Sequence, residues 1–203
     1  MPKKKKGGGH AKGSSFERAV CKDLSLWWTK GKREDIFWRT SGSGARAKTR
    51  SKTGGKTFGQ YGDVQATDPI GQPLIDLCTI EIKKGYNRTD LSDLLDKQDR
   101  HKPLFEQFIW QAWTDSQNSG TPYWMLLSRR DGRRTVITIP RDLFVELKEF
   151  APIHRLLPRM QFTSAILDGK TKLQVYSTPT DGFFKIVKPK HIKQALRNNP
   201  YDV

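Results

Sequence analysis

The sequence of 203 residues predicts an α/β fold in which helices cover a mixed central sheet. Residues 74–83 alternate between two sets of side chains, as a strand does. Residues 104–119 carry an apolar stripe at helical spacing and end at Asn118-Ser119-Gly120, where a helix is expected to stop. Two apolar runs flank the pair Asp131-Gly132, which indicates a β-hairpin. Helices and strands therefore alternate along one core.

The elements before this core helix are predicted in order. A first helix begins near Ser14 or Ser15 and ends near Lys30-Gly31, with an apolar face made of Phe16, Val20, Leu24 and Trp27. The segments predicted to be extended are residues 37–40, 62–67, 74–83, 123–127 and 135–139. In the strand at 74–83, Glu81 and Lys83 share one face, while Ile80 and Ile82 share the other.

The C-terminal quarter predicts further elements: a helix at 140–150, a hairpin with strands at 165–167 and 172–176, a strand at 183–187 and a short helix at 191–197. We therefore expect three segments. They are a flexible basic arm (1–13), a core (14–150) and a C-terminal extension with a β-hairpin and a helix (151–203).

The charge of the chain points to a polyanionic partner. Lys and Arg number 37 against 21 Asp and Glu, which gives a net charge of +16. Residues 1–60 carry +12, residues 61–150 carry −2 and residues 151–203 carry +6. This distribution favours a protein that binds DNA phosphates with its two ends and keeps carboxylates in the middle for another purpose.

The sequence also excludes several classes of protein. No apolar run approaches the length of a membrane span, and the lysine-rich start passes into glycine rather than a signal-peptide core. Cys21 and Cys78 show no pairing pattern, and the four histidines are scattered, so neither a disulfide framework nor a zinc finger is expected. We expect a protein of the bacterial or phage-infected cytoplasm, with the nucleus less favoured because a four-lysine run is often a plain solvated tail.

Two segments are candidates for contact with DNA. Residues 41–57 combine four glycines with five basic side chains, which indicates a mobile basic loop, and the sequence RRDGRR at 129–134 forms a hairpin tip. A P-loop is excluded because Arg50 stands where its first glycine belongs. Alternatively, the loop at 41–57 is flexible without contacting DNA, and the turn at 129–134 is kept soluble by its charges without contacting DNA. The candidate DNA-binding residues are Arg39, Ser41, Ser43, Arg46, Lys48, Arg50, Lys52, Lys56, Arg129 and Arg133.

The strongest pattern for chemistry is Gly62-Asp63-Val64 followed, after 16 residues, by Glu81-Ile82-Lys83. One hairpin could bring the two carboxylates together, where they repel each other unless a hard cation neutralises them. Mg²⁺ takes one or two carboxylates together with water and substrate phosphate. Lys83 could then position the attacking water and stabilise charge on a phosphodiester undergoing in-line hydrolysis.

Residues 14–139 resemble the PD-(D/E)XK nucleases, which include restriction enzymes and the archaeal and phage Holliday-junction resolvases. The resemblance implies a restriction-endonuclease-like core and a DNA endonuclease that uses Mg²⁺ or Mn²⁺. It implies that Asp63, Glu81 and the Ile82 carbonyl bind the metal, that Lys83 is catalytic and that Glu17 is an accessory acid. It favours branched DNA as substrate, cut by a homodimer in DNA recombination. Gly62 replaces the usual proline of the motif.

Alternatives remain open for several of these residues. Glu81 and Lys83 could be a surface ion pair, and Glu17 could close a capping box with Ser14. Gln107 and Gln111 lie on the helix that borders the metal site in these nucleases, and periodicity does not decide which of them faces it. At the level of function, the alternatives are a nuclease for linear duplexes and a DNA-binding protein without catalytic activity.

Overall fold

The computed structural model describes residues 8–40, 61–96, 103–167 and 171–199, and everything below refers to these residues. The helices are α1 (Gly8–Trp28), α2 (Gln72–Leu77), α3 (Asp93–Asp96), α4 (Leu104–Ser119), α5 (Arg141–Lys148), α6 (Thr180–Ile186) and α7 (Pro189–Asn198). The strands are β1 (Phe37–Arg39), β2 (Val64–Ala66), β3 (Cys78–Lys84), β4 (Tyr123–Arg129), β5 (Val136–Pro140), β6 (Gln161–Leu167) and β7 (Thr171–Pro179). Short 3-10 helices span Pro69–Gly71 and Ile153–Arg159. None of the described helices is both long and apolar enough to span a membrane.

The central sheet has five strands in the order β3-β4-β5-β7-β6. β3 and β4 are parallel and are connected through α4, whereas every other neighbouring pair is antiparallel. β1 and β2 form a separate antiparallel pair. The mixed sheet predicted from the sequence is confirmed, and so is the hairpin of β4 and β5.

Two apolar clusters lie on opposite faces of this sheet. On one face, Phe16, Val20 and Leu24 of α1 pack with Ile80 and Ile82 of β3. On the other face, the α4 side chains pack against β4, β6 and β7, in a cluster that contains Phe105, Phe108, Ile109, Ala112, Trp124, Leu126, Ala165 and Val175. The result is a layer of helix on each side of the sheet, in agreement with the restriction-endonuclease-like fold class.

The hairpin of β6 and β7 joins the central sheet, because β7 pairs with β5. Ile153, Phe183 and Ile192 belong to the same apolar cluster as α1 and β3. Residues 151–199 thus share the sheet and the core of the preceding residues.

The first helix begins at Gly8, six residues before the predicted start, so residues 8–13 of the predicted arm are helical. Ser14 therefore lies inside α1 rather than at its N-cap. Its Oγ accepts a hydrogen bond from Arg39 Nη1 at 2.7 Å, a tertiary contact that the local sequence does not reveal. The predicted capping box of Ser14 and Glu17 is wrong for this reason.

Two segments adopt helix where strand was predicted. The strand expected at 74–83 begins only at Cys78, since residues 72–77 form α2. Asp68 accepts a hydrogen bond from the Ile70 N–H and starts the preceding 3-10 turn, and Pro73 occupies the first turn of α2, where proline is tolerated. Leu74 and Leu77 are both buried at helical spacing.

The strand predicted at 183–187 is also wrong. The segment belongs to α6, which follows Pro179 and has Asp181 in its first turn. The N–H of Val187 donates to the Phe183 carbonyl at 2.8 Å, as in a helix. Phe183 and Val187 are both buried, and this spacing of four residues fits one face of a helix, although a short apolar run also fits a strand.

Gly62 brings the chain against β3 immediately before Asp63. Its φ of +75° is a left-handed conformation, and a Cβ atom there would lie 2.7 Å from the Ile80 carbonyl oxygen and 2.9 Å from Thr79 Cγ2. Proline cannot adopt this φ. The departure of this chain from the proline of the motif therefore has a geometric reason.

We predict that Gly62→Ala lowers the free energy of unfolding by about 2–4 kcal/mol, because it combines left-handed strain with a backbone clash. Gly31→Ala is the matched control: Gly31 has a φ of +84° but no atom within 4 Å of its would-be Cβ, so only the conformational cost applies. Denaturant titration of both variants measures the difference, and equal losses would contradict the close approach at Gly62.

Candidate active site

Asp63 is held along the free edge of β3 by two hydrogen bonds. Its N–H donates to the Ile80 carbonyl at 2.7 Å, and its Oδ2 accepts from the Ile82 N–H at 2.8 Å. β4 occupies the opposite edge of β3. Asp63 thus continues the sheet by one residue, and its carboxylate replaces a backbone carbonyl in the ladder.

The same edge carries the carbonyl oxygen of Ile82. In a strand, the N–H and the C=O of one residue point to the same neighbour. Because the Ile82 N–H points to Asp63, its carbonyl is directed to the edge where the Asp63 carboxylate lies. This geometry agrees with the oxygen set that the family resemblance implies.

Glu81 and Lys83 face α4 and form a hydrogen-bonded group with Gln111. Lys83 Nζ donates to Glu81 Oε1 and, at 3.1 Å, to Gln111 Oε1. Gln111 Nε2 in turn donates to Glu81 Oε1 at 2.6 Å. The Glu81 side chain is only 2% exposed and that of Lys83 is 16% exposed. The pair is therefore buried, unlike the surface ion pair considered as an alternative, and Gln111 contacts both of its members.

Burial and mutual repulsion dominate the electrostatics of the two carboxylates. Burial, together with the charge of Asp63, raises the pKa of Glu81 to about 8 despite the nearby ammonium of Lys83. Burial also raises the pKa of Asp63, against the hydrogen bond from Ile82. For Lys83, burial alone would lower the pKa, but the charge of Glu81 and their hydrogen bond outweigh it, so that the pKa is raised.

Asp115 is a third carboxylate near the site, and the sequence analysis missed it. It is 3% exposed and lies on α4 one turn after Gln111, and its charge raises the pKa of both Asp63 and Glu81. A signal was present in the sequence: an acidic residue continues the buried stripe of Phe108 and Ala112. Charged residues are seldom buried without a partner, so such a position marks a candidate polar site.

Glu17 lies on α1 close enough for its charge to raise the pKa of Asp63. Arg39 Nε is 3.0 Å from Glu17 Oε2, although it is not aligned to donate a hydrogen bond. The residue that was predicted to touch DNA thus contacts the predicted accessory acid. Glu17 is therefore oriented by a tertiary ion pair with Arg39 of β1.

The donors suit a hard divalent cation. Asp63 and Glu81 would supply two carboxylates to such a cation and the Ile82 carbonyl a third oxygen, and a cation of this kind usually takes its remaining ligands from water and phosphate. Within the ranges that the structure describes, no three Asp, Glu, His or Cys side chains converge as a completed protein cage would require.

The remaining candidates for DNA contact divide into two groups. Arg129 ends β4 and lies over the Phe16 ring, 5.9 Å from its centroid, on the α1 face. Arg133 lies beyond it in the turn before β5 and lines a cleft beside Lys83. The loop residues Ser41, Ser43, Arg46, Lys48, Arg50, Lys52 and Lys56 lie outside the described residues.

A comparison with known families gives the family of the chain. The model of a family described as "Phage putative PDDEXK endonuclease" matches residues 8–194. The chain belongs to this PD-(D/E)XK family. No curated protein and no solved structure matches it. Membership supports an endonuclease, and the family's usual need for a divalent metal agrees with the donors found on β3.

The raised pKa of Glu81 predicts how this PD-(D/E)XK protein responds to pH without metal. The folded state holds the Glu81 proton more tightly than the unfolded chain, so protonation stabilises the fold at low pH. That contribution is lost as the pH rises from the ordinary value of 4.5 to about 8. The free energy of unfolding of the wild type, relative to that of Glu81→Gln, should fall across this window in chelator.

Asp142→Asn is the control for this experiment, because it removes a carboxylate that is 82% exposed. Its free energy of unfolding relative to the wild type should change little between pH 5 and 8. Denaturant titration at several pH values measures all three proteins. If the difference in free energy of unfolding between the wild type and Glu81→Gln did not change with pH, the assignment of a buried, protonated Glu81 carboxyl would be contradicted.

Proposed function

We propose that the protein is a Mg²⁺-dependent DNA endonuclease, with Mn²⁺ able to substitute. The observation that carries this proposal is the placement of Asp63 at the edge of β3 beside buried Glu81 and Lys83. The two carboxylates would bind the metal, and the amine of Lys83 would orient water and stabilise the phosphate. All three groups lie along the same strand, β3. Family membership supports the same class of reaction.

In the proposed site, Asp63, Glu81 and the Ile82 carbonyl hold the cation. When bound, the cation acts as a Lewis acid on the phosphodiester and lowers the pKa of a water molecule. The hydrogen bonds of Asp63 to β3 keep its carboxylate fixed, since both the backbone N–H and Oδ2 are engaged with the same strand. The second carboxylate oxygen, Oδ1, is left for the cation.

Lys83 orients the water and stabilises charge that develops on the phosphate. Its ammonium is held between Glu81 and Gln111, so its position depends on α4 as well as on β3. Gln111 acts as a positioning residue, because it donates to Glu81 and accepts from Lys83. Such preorganised donors act without reorganisation at the moment of reaction.

The proposed substrate is DNA, and branched DNA is the preferred form, as in Holliday-junction resolution during recombination. The charge of +12 on residues 1–60 supports binding to phosphates. A junction presents paired strands, so the proposed enzyme acts as a homodimer with one site for each strand. The proposed location is the cytoplasm of a bacterial or phage-infected cell.

The rival functions are a nuclease for linear duplexes and a DNA-binding protein without catalytic activity. A cleavage assay that compares labelled junction, duplex and single-stranded DNA, with Mg²⁺ and with chelator, separates all three. Preferential metal-dependent cutting of the junction supports the proposal. Equal cutting of the duplex favours the first rival, and binding without cutting favours the second.

We predict that Asp63→Ala and Glu81→Ala each reduce the cleavage rate by at least about a hundredfold, since each removes a proposed metal ligand. DNA binding in chelator should be unchanged or tighter, because one negative charge near the phosphate is lost. Asp142→Ala, at an exposed position on α5, controls for loss of a carboxylate elsewhere. Normal cleavage by the two site variants would overturn the site assignment.

Glu17→Gln tests the accessory acid now that the capping role is excluded. The variant keeps the size of the side chain but loses the charge that pairs with Arg39 and faces Asp63. We expect a higher Mg²⁺ concentration at half-maximal cleavage, with a melting temperature close to that of the wild type because the pair is partly exposed. Unchanged cleavage at limiting Mg²⁺ would remove Glu17 from the site.

A further inference from the structure

A cleft of about 250 Å³ opens next to Lys83 on the α4 face of the sheet. Its floor is formed by short side chains near the end of the sheet, among them Ser128 of β4, Val136 of β5 and Ser177 of β7. Ser128 is opposite Lys83 on one side and Val136 on the other, and Ser177 is opposite Thr138, two residues along β5 from Val136. The cleft therefore begins at a proposed catalytic residue.

The walls of this cleft are joined to each other. The segment after β3 contacts the turn before β5 through Asn87, whose Oδ1 accepts from the Asp131 N–H at 2.7 Å. Asp90 and Arg130 add an ion pair at 2.6 Å between the same two segments. Two independent contacts hold the walls at a fixed spacing, as a preformed binding site requires.

The lining combines aromatic rings with positive charge. Tyr86 is 45% exposed, and its ring centroid lies 4.8 Å from that of buried Phe108. Lys83 Nζ lies 5.7 Å from the Phe108 centroid. The cleft is lined by the basic residues Lys83, Arg130, Arg133 and Arg134 and by one acidic residue, Asp90. Arg133 forms no ion pair with another residue in the described part of the chain.

This combination selects a small planar group with an attached negative charge. An exposed aromatic ring offers a stacking surface that tolerates any base, and arginines bind the flanking phosphates. A volume of about 250 Å³ is smaller than the ~300–1,000 Å³ of pockets that enclose drug-sized ligands, so the cleft suits a ligand group no larger than a single base. A base reaches such a cleft only when it is unpaired or extruded from the helix.

We propose that the cleft binds one unpaired nucleotide of the DNA substrate, stacked on Tyr86 with its phosphate near Arg133. The proposal rests on the proposed nuclease function, because Lys83 belongs to both the cleft and the site of hydrolysis. It adds that the enzyme recognises an unpaired base beside the phosphate that it cuts. Branch points, bulges and frayed ends supply such bases, whereas an intact duplex does not.

The test uses fluorescence of 2-aminopurine in chelator, where no cleavage occurs. One DNA carries a single unpaired 2-aminopurine in a duplex, and a second DNA carries the same base paired with thymine. We expect the wild type to quench the unpaired probe and to bind this DNA more tightly than the paired one. Tyr86→Ala should remove the quenching and reduce that binding preference by roughly tenfold, the effect of losing one base–aromatic stack.

Matched variants control for folding and charge. Tyr86→Leu keeps an apolar side chain against Phe108 but removes the ring, and it should behave as Tyr86→Ala does. Phe162→Ala removes a 53% exposed aromatic side chain from β6, where it contacts Tyr176, and should keep the quenching. Arg133→Gln should reduce the preference for the unpaired probe, whereas Arg141→Gln, an exposed arginine on α5, should not.

The outcomes separate the cleft from the nuclease. If the wild type cuts DNA with Mg²⁺ but quenching survives in Tyr86→Ala and Tyr86→Leu, the cleft proposal is wrong and the nuclease stands. If quenching depends on Tyr86 but no DNA is cut with any divalent metal, the nucleotide site stands and the nuclease is wrong. Equal quenching of paired and unpaired probes by the wild type would also overturn the cleft proposal.

Discussion

The attachment of Asp63 to the free edge of β3 is the constraint on which the candidate site depends. β3 makes a different kind of contact on each of its two faces and at its edge. Ile80 and Ile82 pack toward α1, Glu81 and Lys83 face α4, and the strand edge meets Asp63. A shift of one residue in the register would exchange the apolar and charged sets. The register of β3 therefore determines the positions of both the core residues and the site residues.

Burying the carboxylates of the site destabilises the fold, and burial of the neighbouring apolar side chains offsets this loss of stability. Removing an ion from water costs several kcal/mol even after relaxation, and Asp63, Glu81 and Asp115 are all buried. Burial of side chains such as Ile80 and Ile82 contributes about 1.5–3 kcal/mol each. Since the two sets alternate along the same strand, the stabilising residues lie next to the destabilising ones. A cation that binds here stabilises the fold as well as the reaction.

The sequence predicted those features that depend on local pattern. The alternation of β3, the stripe of α4 and the turn at Asp131-Gly132 are local, and the structure confirms each of them. The error at Ser14 arose because a tertiary contact decided the outcome. Ser14 accepts from Arg39, which is 25 residues away, and no local pattern distinguishes this contact from a helix cap.

The site was predictable in part for the same reason. Asp63, Glu81 and Lys83 occur at a spacing that one strand edge can combine, so their proximity could be inferred. Gln111 and Asp115 come from α4, and their rotation toward β3 depends on how the helix packs. The cleft could not be inferred at all, because it arises from short side chains on three strands that are distant in the sequence.

The charge distribution couples DNA binding to metal binding in the proposed function. The carboxylates lie in the segment with a net charge of −2, between two basic segments that attract phosphates. A phosphate approaching Asp63 and Glu81 would meet repulsion that the ammonium of Lys83 only partly offsets. A bound cation would remove that repulsion and gain the phosphate as a ligand, so that each partner would raise the affinity of the other by the same factor. In the proposed function, the basic segments would hold DNA without metal, while the phosphate to be cut would enter the site only together with the cation.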